Sequence, residues 1–455
     1  NDGRSWIIKL KEELFWQDGE RLTSDDAVFT IQKIQDPDSR SPLFTAWQGV
    51  AAQRISEREI QFNLGAPHAF FETNLSNIYI LPKHIFGGVP PGNWRISDFN
   101  LKPIGSGPYR FYTYEIKPNG LITAYRLKAN PQYFGRNPLI SNFNFQFFAD
   151  KEELIKSFNL GRIDGTADLD HQDLEKIRRP YETSPLNLPS YYAVFLNQSQ
   201  NLALKETSVR RALSLAVNRL ELIAKTFKNQ ASIATSPMPA NTAYFNSALS
   251  STFFSPQLAS QILDEAGWQL DSDRFRKKTV KNSQISLEFS LTVPRVSFLI
   301  NTANQLKSVW EELGAKINLV ILPLNEITDI AIKNRDYQML LFGNILNPGF
   351  DLFPFWHSSE RFYPGLNLSL YNNRKADQLI ETIRQNADPD TRKEQSRELQ
   401  KVIADDYPAI FLYTPYPPYA TDKDLKGLSS KLIFEPADRF LSAPEWHLRT
   451  ARVFR

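Results

Sequence analysis

From about residue 205 to residue 415, helical and strand patterns take turns, and this alternation constrains the fold more than any other feature of the sequence. Val209, Leu213, Ala216, Leu220, Ile223 and Phe227 recur at three- and four-residue spacing, which predicts one helical face running through 209–227. Ser255-Pro256 supplies an N-cap and a proline at the first helical position, and Gly267 supplies a left-handed stop. The pattern continues with a strand over 285–293, a helix over 300–313 ended by Gly314, a strand over 316–322, a short helix from Asn325 and a strand over 337–342. Asp388-Pro389 opens a helix that runs to about Asp406, and Ala409 to Tyr413 reads as a short buried strand. Strands joined through helices imply βαβ crossovers and a largely parallel sheet.

The first part of the chain reads differently. Trp6, Ile8 and Leu10 alternate with Ile7, Lys9 and Lys11 in a strand-like pattern that stops at the Asp18-Gly19 turn. Thr23-Ser24-Asp25-Asp26 then caps a helix carrying Val28, Phe29, Ile31 and Ile34, which Asp36-Pro37 ends. Ile60, Phe62 and Leu64 mark a second half-buried strand, so this stretch is α+β. Residues 103–150 read as strands punctuated by Gly, Pro and Asn, with Phe143, Phe145 and Phe147 on one face, and Glu152 to Asn159 reads as a helix. At about 150 residues per domain, 455 residues imply two or three domains. A mixed lobe is followed by an α/β lobe, and the last strand can return to the first.

Composition excludes several function classes. Fifty-three basic against 50 acidic residues give a formal charge of +3 with no dominant basic block, which argues against a nucleic-acid partner. The longest apolar run is about six residues, Tyr191 to Leu196, far short of the roughly 18 that a membrane helix needs. Cysteine is absent, which removes disulfides, thiolate catalysis and Cys-ligated zinc. The five histidines, His68, His84, His171, His357 and His447, are scattered without zinc-ligand spacing, so no metal site is expected. Gly105-Ser106-Gly107-Pro108 lacks the elbow of a nucleophilic serine and reads as a structural turn leading into a strand. Neither phosphate-cradling glycine motif occurs, and no cofactor is expected.

Aromatic residues make up 13% of the chain, and several lie in loops, where they can line a ligand cleft: Phe44 and Trp47, Trp94, and the stretch from Phe350 to Trp356. Packing is the commoner role for any single one. Arg274, Arg276, Lys277 and Lys278 form the densest basic cluster, which beside Asp271 and Asp273 reads as a solvated turn.

Taken in order, the motifs resemble one family, the extracytoplasmic solute-binding proteins of ABC importers of the oligopeptide, dipeptide and nickel-binding type (family 5). WIIKLKEELFWQDGERLTSDDAVFT (6–30), LPKHIF (81–86), PIGSGPYRF (103–111), ANPQYFGRNPLISNFNFQF (129–147), FNLGRIDGTADL (158–169), VRRALSLAVNR (209–219), ILDEAGW (262–268), YNNRKADQLI (371–380) and IADDYPAIFLY (403–413) carry the likeness. The resemblance implies an α/β, two-lobed, periplasmic-binding-protein-like (type II) fold with an extra α+β subdomain in the first lobe. Its expected division is 1–100 for that subdomain, 101–199 with 416–455 for the core of lobe I, and 200–415 for lobe II. The lobes would close over a ligand and dock on a membrane permease, with no covalent step. Hinge strands would pass near Tyr191 to Asn197 and Phe411 to Tyr416, which makes Tyr192, Asn197 and Tyr413 the hinge residues.

The ligand most in keeping with the resemblance is a short peptide; a nickel chelate, haem, an opine or an oligosaccharide are alternatives. Peptide-binding members grip the ligand's α-amino group with an Asp four residues before a Pro. Here the loop FGNILNPGFD (342–351) is shortened and places Asn344 there, with Asp351 as a substitute or as a turn residue. Arg295 stands where dipeptide-type members place an Arg on the ligand carboxylate. Phe44 and Trp47 fall where such proteins often meet the ligand. Family members carry further residues upstream, including an export signal and in many cases a lipidated Cys, so the sequence is expected to be partial. The protein is expected outside the cytoplasm, in the periplasm or lipid-anchored at the cell surface, as a monomer. Two other classes remain open at this point: a hydrolase using a carboxylate pair, and a ligand sensor on the same fold.

Overall fold

The structure, a computed structural model of the chain, describes residues 3–167, 169–170, 172–249, 254–281, 283–429 and 431–448. It divides into two compact units, one running to Leu186 and resuming at Pro417, the other spanning Asn187–Tyr416. The chain therefore passes between units at 186/187 and at 416/417.

In the first unit, β1 (Ser5–Lys9), α1 (Ser24–Ile34), α2 (Phe44–Trp47), β2 (Ala51–Arg54) and β3 (Glu59–Asn63) form an α+β layer with strand order β1-β3-β2. Thr23 and Asp26 close a capping box on α1, and the helix buries Ile31 and Ile34 against Ile60, Phe62 and Phe71. Two short helices, α3 (Phe71–Ser76) and α4 (Lys83–Phe86), lead to a meander of β4 (Tyr109–Ile116), β5 (Ile122–Ala129) and β6 (Asn142–Gln146). The Gly105-Ser106-Gly107 turn is tied down by Gln17, whose side chain accepts from the Gly105 N–H at 3.2 Å and donates to the Tyr109 carbonyl at 2.9 Å. After α5 (Lys151–Asn159) come β7 (Gly165–Thr166) and β8 (Tyr181–Pro185).

The second unit opens on β9 (Ser190–Leu196), which is the longest apolar run of the sequence and is buried at every position but Tyr192. Then follow α6 (Thr207–Leu215), α7 (Arg219–Phe227), β10 (Ala231–Ile233) and α8 (Pro256–Glu265). A small antiparallel sheet has β11 (Gln269–Leu270), β12 (Arg276–Val280) and β13 (Ser283–Ser286). Next are β14 (Glu288–Pro294), α9 (Ser297–Glu312), β15 (Lys316–Leu322), α10 (Leu324–Ile327), β16 (Met339–Ile345), α11 (Phe353–Trp356), α12 (Arg374–Gln385), α13 (Pro389–Asp406) and β17 (Ala409–Pro415). The six-stranded sheet has the order β10-β17-β9-β16-β14-β15. Val194, Leu196, Met339, Leu341 and Leu412 meet the apolar faces of α6 to α9 on one side. Tyr191, Phe195 and Phe411 meet Trp356 and its neighbours on the other. Beyond 416/417 the chain adds β18 (Pro418–Asp422) between β7 and β8 in the first unit.

Four expectations are corrected. The helical face 209–227 is two helices, because the Asn218 side chain accepts from the Glu221 N–H and starts α7 afresh; Leu220 consequently faces solvent. The sheet is mixed: β14 is parallel to β15 and β16, but β9 runs antiparallel to both β16 and β17, since it enters from the first unit and not through a crossover helix. Residues 187–199, expected with the first lobe, belong to the second, whose central strand they supply. Arg276 is not solvated but 1% exposed, donating to the Leu313 and Trp268 carbonyls at 2.8 and 2.6 Å, to Ser260 and to Asp264. The rest of the basic cluster does pair on the surface, Lys277 with Asp271 and Asp273.

Arg276→Ala leaves two buried carbonyls without donors, at about 1–3 kcal/mol each. It is expected to lower the unfolding free energy by about 2–5 kcal/mol in urea titrations, whereas Arg274→Ala changes it by less than about 0.5 kcal/mol.

Candidate functional site

Strand direction decides where a site can form in the second unit. β14, β15, β16 and β17 all end at one edge of the sheet, and β9 begins there. Ligands of open α/β sheets bind outside the carboxyl ends of the strands. Both passages between units, at 186/187 and 416/417, leave from this same edge.

The edge is also where the sheet parts. β14 and β16 pair only at Leu291↔Met339 and Thr292↔Leu340. Beyond that point β14 continues on β15 to Pro294↔Leu322, and β16 continues on β9 to Ile345↔Ser190. Arg295 lies just past the end of β14, with its N–H on the Leu322 carbonyl at 2.7 Å; its side chain is exposed and has no acid partner among the described residues. Across the parting stands Gly343, directly over the Tyr192 ring: a Cβ there would lie 2.6 Å from a ring carbon. Tyr192 packs edge-on against Phe298 at 5.3 Å and stacks on Tyr413 at 5.6 Å. The Tyr413 hydroxyl meets Thr302 at 2.9 Å.

The two polar candidates of the 342–351 loop both have internal partners. Asn344 is 6% exposed, and its Nδ2 donates at 2.8 Å to the Tyr191 hydroxyl, which also accepts from Trp356 Nε1 at 3.0 Å. Burial raises the Tyr191 pKa, so the hydroxyl stays neutral. Asp351 is buried, accepts from the Phe353 N–H at 3.0 Å and pairs with Arg384 at 3.3 Å. Desolvation raises its pKa, and the Arg384 charge only partly offsets that.

The remaining candidates divide. Trp47 is corrected: at 1% exposure it fills the core of the first unit against Phe62 and Phe71, and has no surface to offer a ligand. Phe44 begins α2 and is half-buried. Asn197 is corrected as a hinge residue. It lies at the far end of β9, roughly 20 Å along the strand from the passage, and its amide holds the Arg335 carbonyl at 3.0 Å. Tyr192 and Tyr413 lie near the passages but inside the sheet. The segments that cross are Leu186 to Pro189 and Pro415 to Pro418, which share the hydrogen bond from the Leu186 N–H to the Pro417 carbonyl. Their prolines, Pro189, Pro415, Pro417 and Pro418, remove backbone donors and were the missed signal in the sequence.

No group of three His, Asp or Glu side chains able to hold a metal ion occurs among the described residues, and His171 lies outside them. The four buried aspartates, Asp26, Asp173, Asp351 and Asp422, each face a capping N–H, a Lys or an Arg. No helix among the described residues is long and apolar enough to cross a membrane.

Comparison with known proteins supplies the context. The sequence model of the bacterial extracellular solute-binding proteins, family 5 (Middle), matches residues 1–362. The chain is 27% identical to the oligopeptide-binding protein AppA of Bacillus subtilis (strain 168) over 468 aligned positions, covering 98% of this chain and 81% of that protein. Its fold is similar to the ABC transporter substrate-binding protein CtaP from Listeria monocytogenes, with a TM-score of 0.83, 25% identity and coverage of 98% and 88% of the two chains. It is similar as well to NikZ from Campylobacter jejuni in complex with Ni(L-His), with a TM-score of 0.81, 22% identity and the same coverage.

Two outcomes follow from this geometry. Gly343→Ala forces the Tyr192 ring out of a seat closed by Phe298 and Tyr413 and is expected to cost about 1–3 kcal/mol in urea unfolding, with no loss in a Gly343→Ala/Tyr192→Ala double variant relative to Tyr192→Ala alone. For Asp351 the folded-state pKa lies above the ordinary 3.8, so the native state binds the extra proton and stability gains as pH falls through that window. The difference in unfolding free energy between wild type and Asp351→Asn should therefore move in favour of wild type as pH is lowered from 7 toward 4; a shift the other way contradicts the assignment.

Proposed function

The chain belongs to the family 5 bacterial extracellular solute-binding proteins, and on that premise we propose that it captures short peptides and hands them to an ABC-type membrane permease. Members of this family are extracytoplasmic transport components, and the chain is a substrate-binding component of an ABC importer. The observation that carries the ligand class is Arg295: an exposed guanidinium without an acid partner among the described residues, at the carboxyl edge where the sheet parts and three residues before Phe298, whose ring packs on Tyr192. A guanidinium so placed reads a carboxylate in two parallel hydrogen bonds. The amine end is read less strongly, since Asn344 is neutral and engaged by Tyr191, and Asp351 is engaged by Arg384. Ligand affinity for the closed form supplies the free energy for hinged closure about the proline-rich passages.

A nickel chelate is the second reading, favoured by the likeness to NikZ; a chelator's carboxylate suits the same guanidinium. Native mass spectrometry of the purified protein, followed by denaturation, separates the two: a ladder of peptide masses supports peptide capture, and one metal-containing mass supports the chelate. For a peptide that binds, amidation of its C-terminus is expected to weaken affinity by about 10- to 100-fold, as a lost charge-assisted pair of about 1.5–3 kcal/mol implies. Arg295→Ala should weaken the free acid by a similar factor and leave the amide unchanged in calorimetry. Equal binding of acid and amide by the wild type contradicts the role given to Arg295.

A further inference from the structure

The first crossing segment is tied down at both ends and loose between them. The Leu186 N–H is bound to the Pro417 carbonyl at 2.8 Å. From Pro189 onward the chain is fixed to the sheet: the Pro189 carbonyl accepts from the Leu346 N–H at 2.9 Å, and the Ser190 carbonyl accepts from Thr414 Oγ1 at 2.7 Å. Asn187 and Leu188 lie between these ties, and neither backbone N–H has an acceptor among the described residues. Rotation of the backbone at this passage is therefore concentrated on two residues, as a hinge requires.

One side chain of the second unit holds both residues. Asn241 Nδ2 donates to Asn187 Oδ1 at 2.7 Å and to the Leu188 carbonyl at 3.1 Å. A backbone carbonyl only accepts, so the end of the amide turned to Leu188 is the NH2 group and Oδ1 is the end left over. That oxygen is buried and has no donor among the described residues. An empty buried acceptor is unfavourable and rare. Asn241 itself sits on a fixed mount. The buried Gln400 of α13 accepts from Ser236 Oγ at 3.1 Å and from the Asn246 N–H at 2.9 Å, and its Nε2 donates to the Tyr244 carbonyl at 2.8 Å. Thr242 Oγ1 donates to the Pro239 carbonyl at 2.8 Å. The Tyr244 ring rests on Phe350 at 5.6 Å, and Phe350, with a φ of +55°, belongs to the 342–351 loop of the candidate site. An empty acceptor on a fixed mount thus adjoins two empty donors on the segment that can turn.

We propose that Asn241 is a two-position latch on the hinge: in the position seen here its Nδ2 holds Asn187 and Leu188, and in the second its Oδ1 accepts a backbone N–H of the same pair. The two positions use opposite ends of one amide, so each excludes the other. Ligand affinity then chooses between two defined settings of the hinge. The inference rests on the hinged closure read above and makes Asn241 a positioning residue, which acts through residues 187 and 188.

The chain has no cysteine, so Lys117→Cys in the first unit and Glu394→Cys in the second, both at exposed positions, give a defined dye pair for single-molecule fluorescence transfer on the full chain. Asn241→Asp keeps an acceptor and sets a carboxylate against Asn187 Oδ1 and the Leu188 carbonyl; the ratio of the second population to the first is expected to rise at least tenfold. Asn187→Ala removes one of the two held acceptors and should move the ratio the same way, by at least twofold. Asn246→Ala cuts a different tie of the same loop, to the Arg397 carbonyl, and should leave the ratio unchanged. Circular dichroism checks the fold, and Asn187→Ala decides the matter where Asn241→Asp does not fold. A mixture of random tetrapeptides is the probe for closure. Peptide that shifts the wild type while Asn241→Asp and Asn187→Ala leave the unliganded ratio unmoved overturns the latch and leaves closure standing. Variants that move the ratio while peptide does not support the latch and count against peptide capture. One unmoved distribution in every variant, or a shift in Asn246→Ala equal to that in Asn241→Asp, overturns the proposal.

Discussion

The second unit depends on the burial of β9. Its run of six apolar residues pairs along its whole length with β16 on one side and along most of it with β17 on the other, and six of its seven side chains are out of water. At about 1.5–3 kcal/mol for each large apolar side chain buried, Tyr191, Val194, Phe195 and Leu196 give β9 a share of the driving force that its neighbour β17 matches with Ile410, Phe411, Leu412 and Tyr413. Because β9 comes from the first unit and lies antiparallel to its neighbours, its start and the end of β17 fall at the same edge as the carboxyl ends of β14, β15 and β16. One strand's burial thereby fixes where the chain passes between units and where a ligand can meet backbone ends and loops.

The chemistry at that edge follows from what the core has already claimed. Tyr191, Asn344 and Trp356 satisfy one another on one face, Asp351 and Arg384 do so in the loop beyond, and Tyr413 is held by Thr302 on the opposite face. Buried polar groups that are paired in this way cost little and hold the surrounding strands in register. Arg295, just past the last paired residue of β14, has no such partner among the described residues. The acid and amide of the 342–351 loop are therefore committed to internal partners, and the Arg295 guanidinium is left exposed.

Much of this was legible in the sequence wherever a local signal had a local cause. Ser255-Pro256 and Asp388-Pro389 open helices at 256 and 389 because an N-cap acceptor and a proline act within one turn. The strand over 316–322 was readable in full, and the ordered motifs carried the family resemblance that the family model matches over residues 1–362. What stayed hidden is what periodicity does not encode. Spacing carries no strand direction, so the second-lobe sheet read as largely parallel and β9 was placed with the first lobe. An arginine inside a basic run looks solvated until Asp264 and two carbonyls close round it, as they do on Arg276. Trp47 in a loop-like segment looks available until Phe62 and Phe71 cover it. In the candidate site, Arg295 was singled out from its place between a strand and a helix together with the family resemblance, whereas Gly343 and the Tyr191 network were not, because both arise from contacts over about 150 residues of sequence.

The most direct measurement is a crystal structure of the protein purified without stripping bound ligand. The account expects extended density outside the carboxyl ends of β14 and β16, ending in a carboxylate about 2.7–2.9 Å from the Arg295 guanidinium. A ligand held elsewhere, or one whose charged end turns away from Arg295, would contradict it.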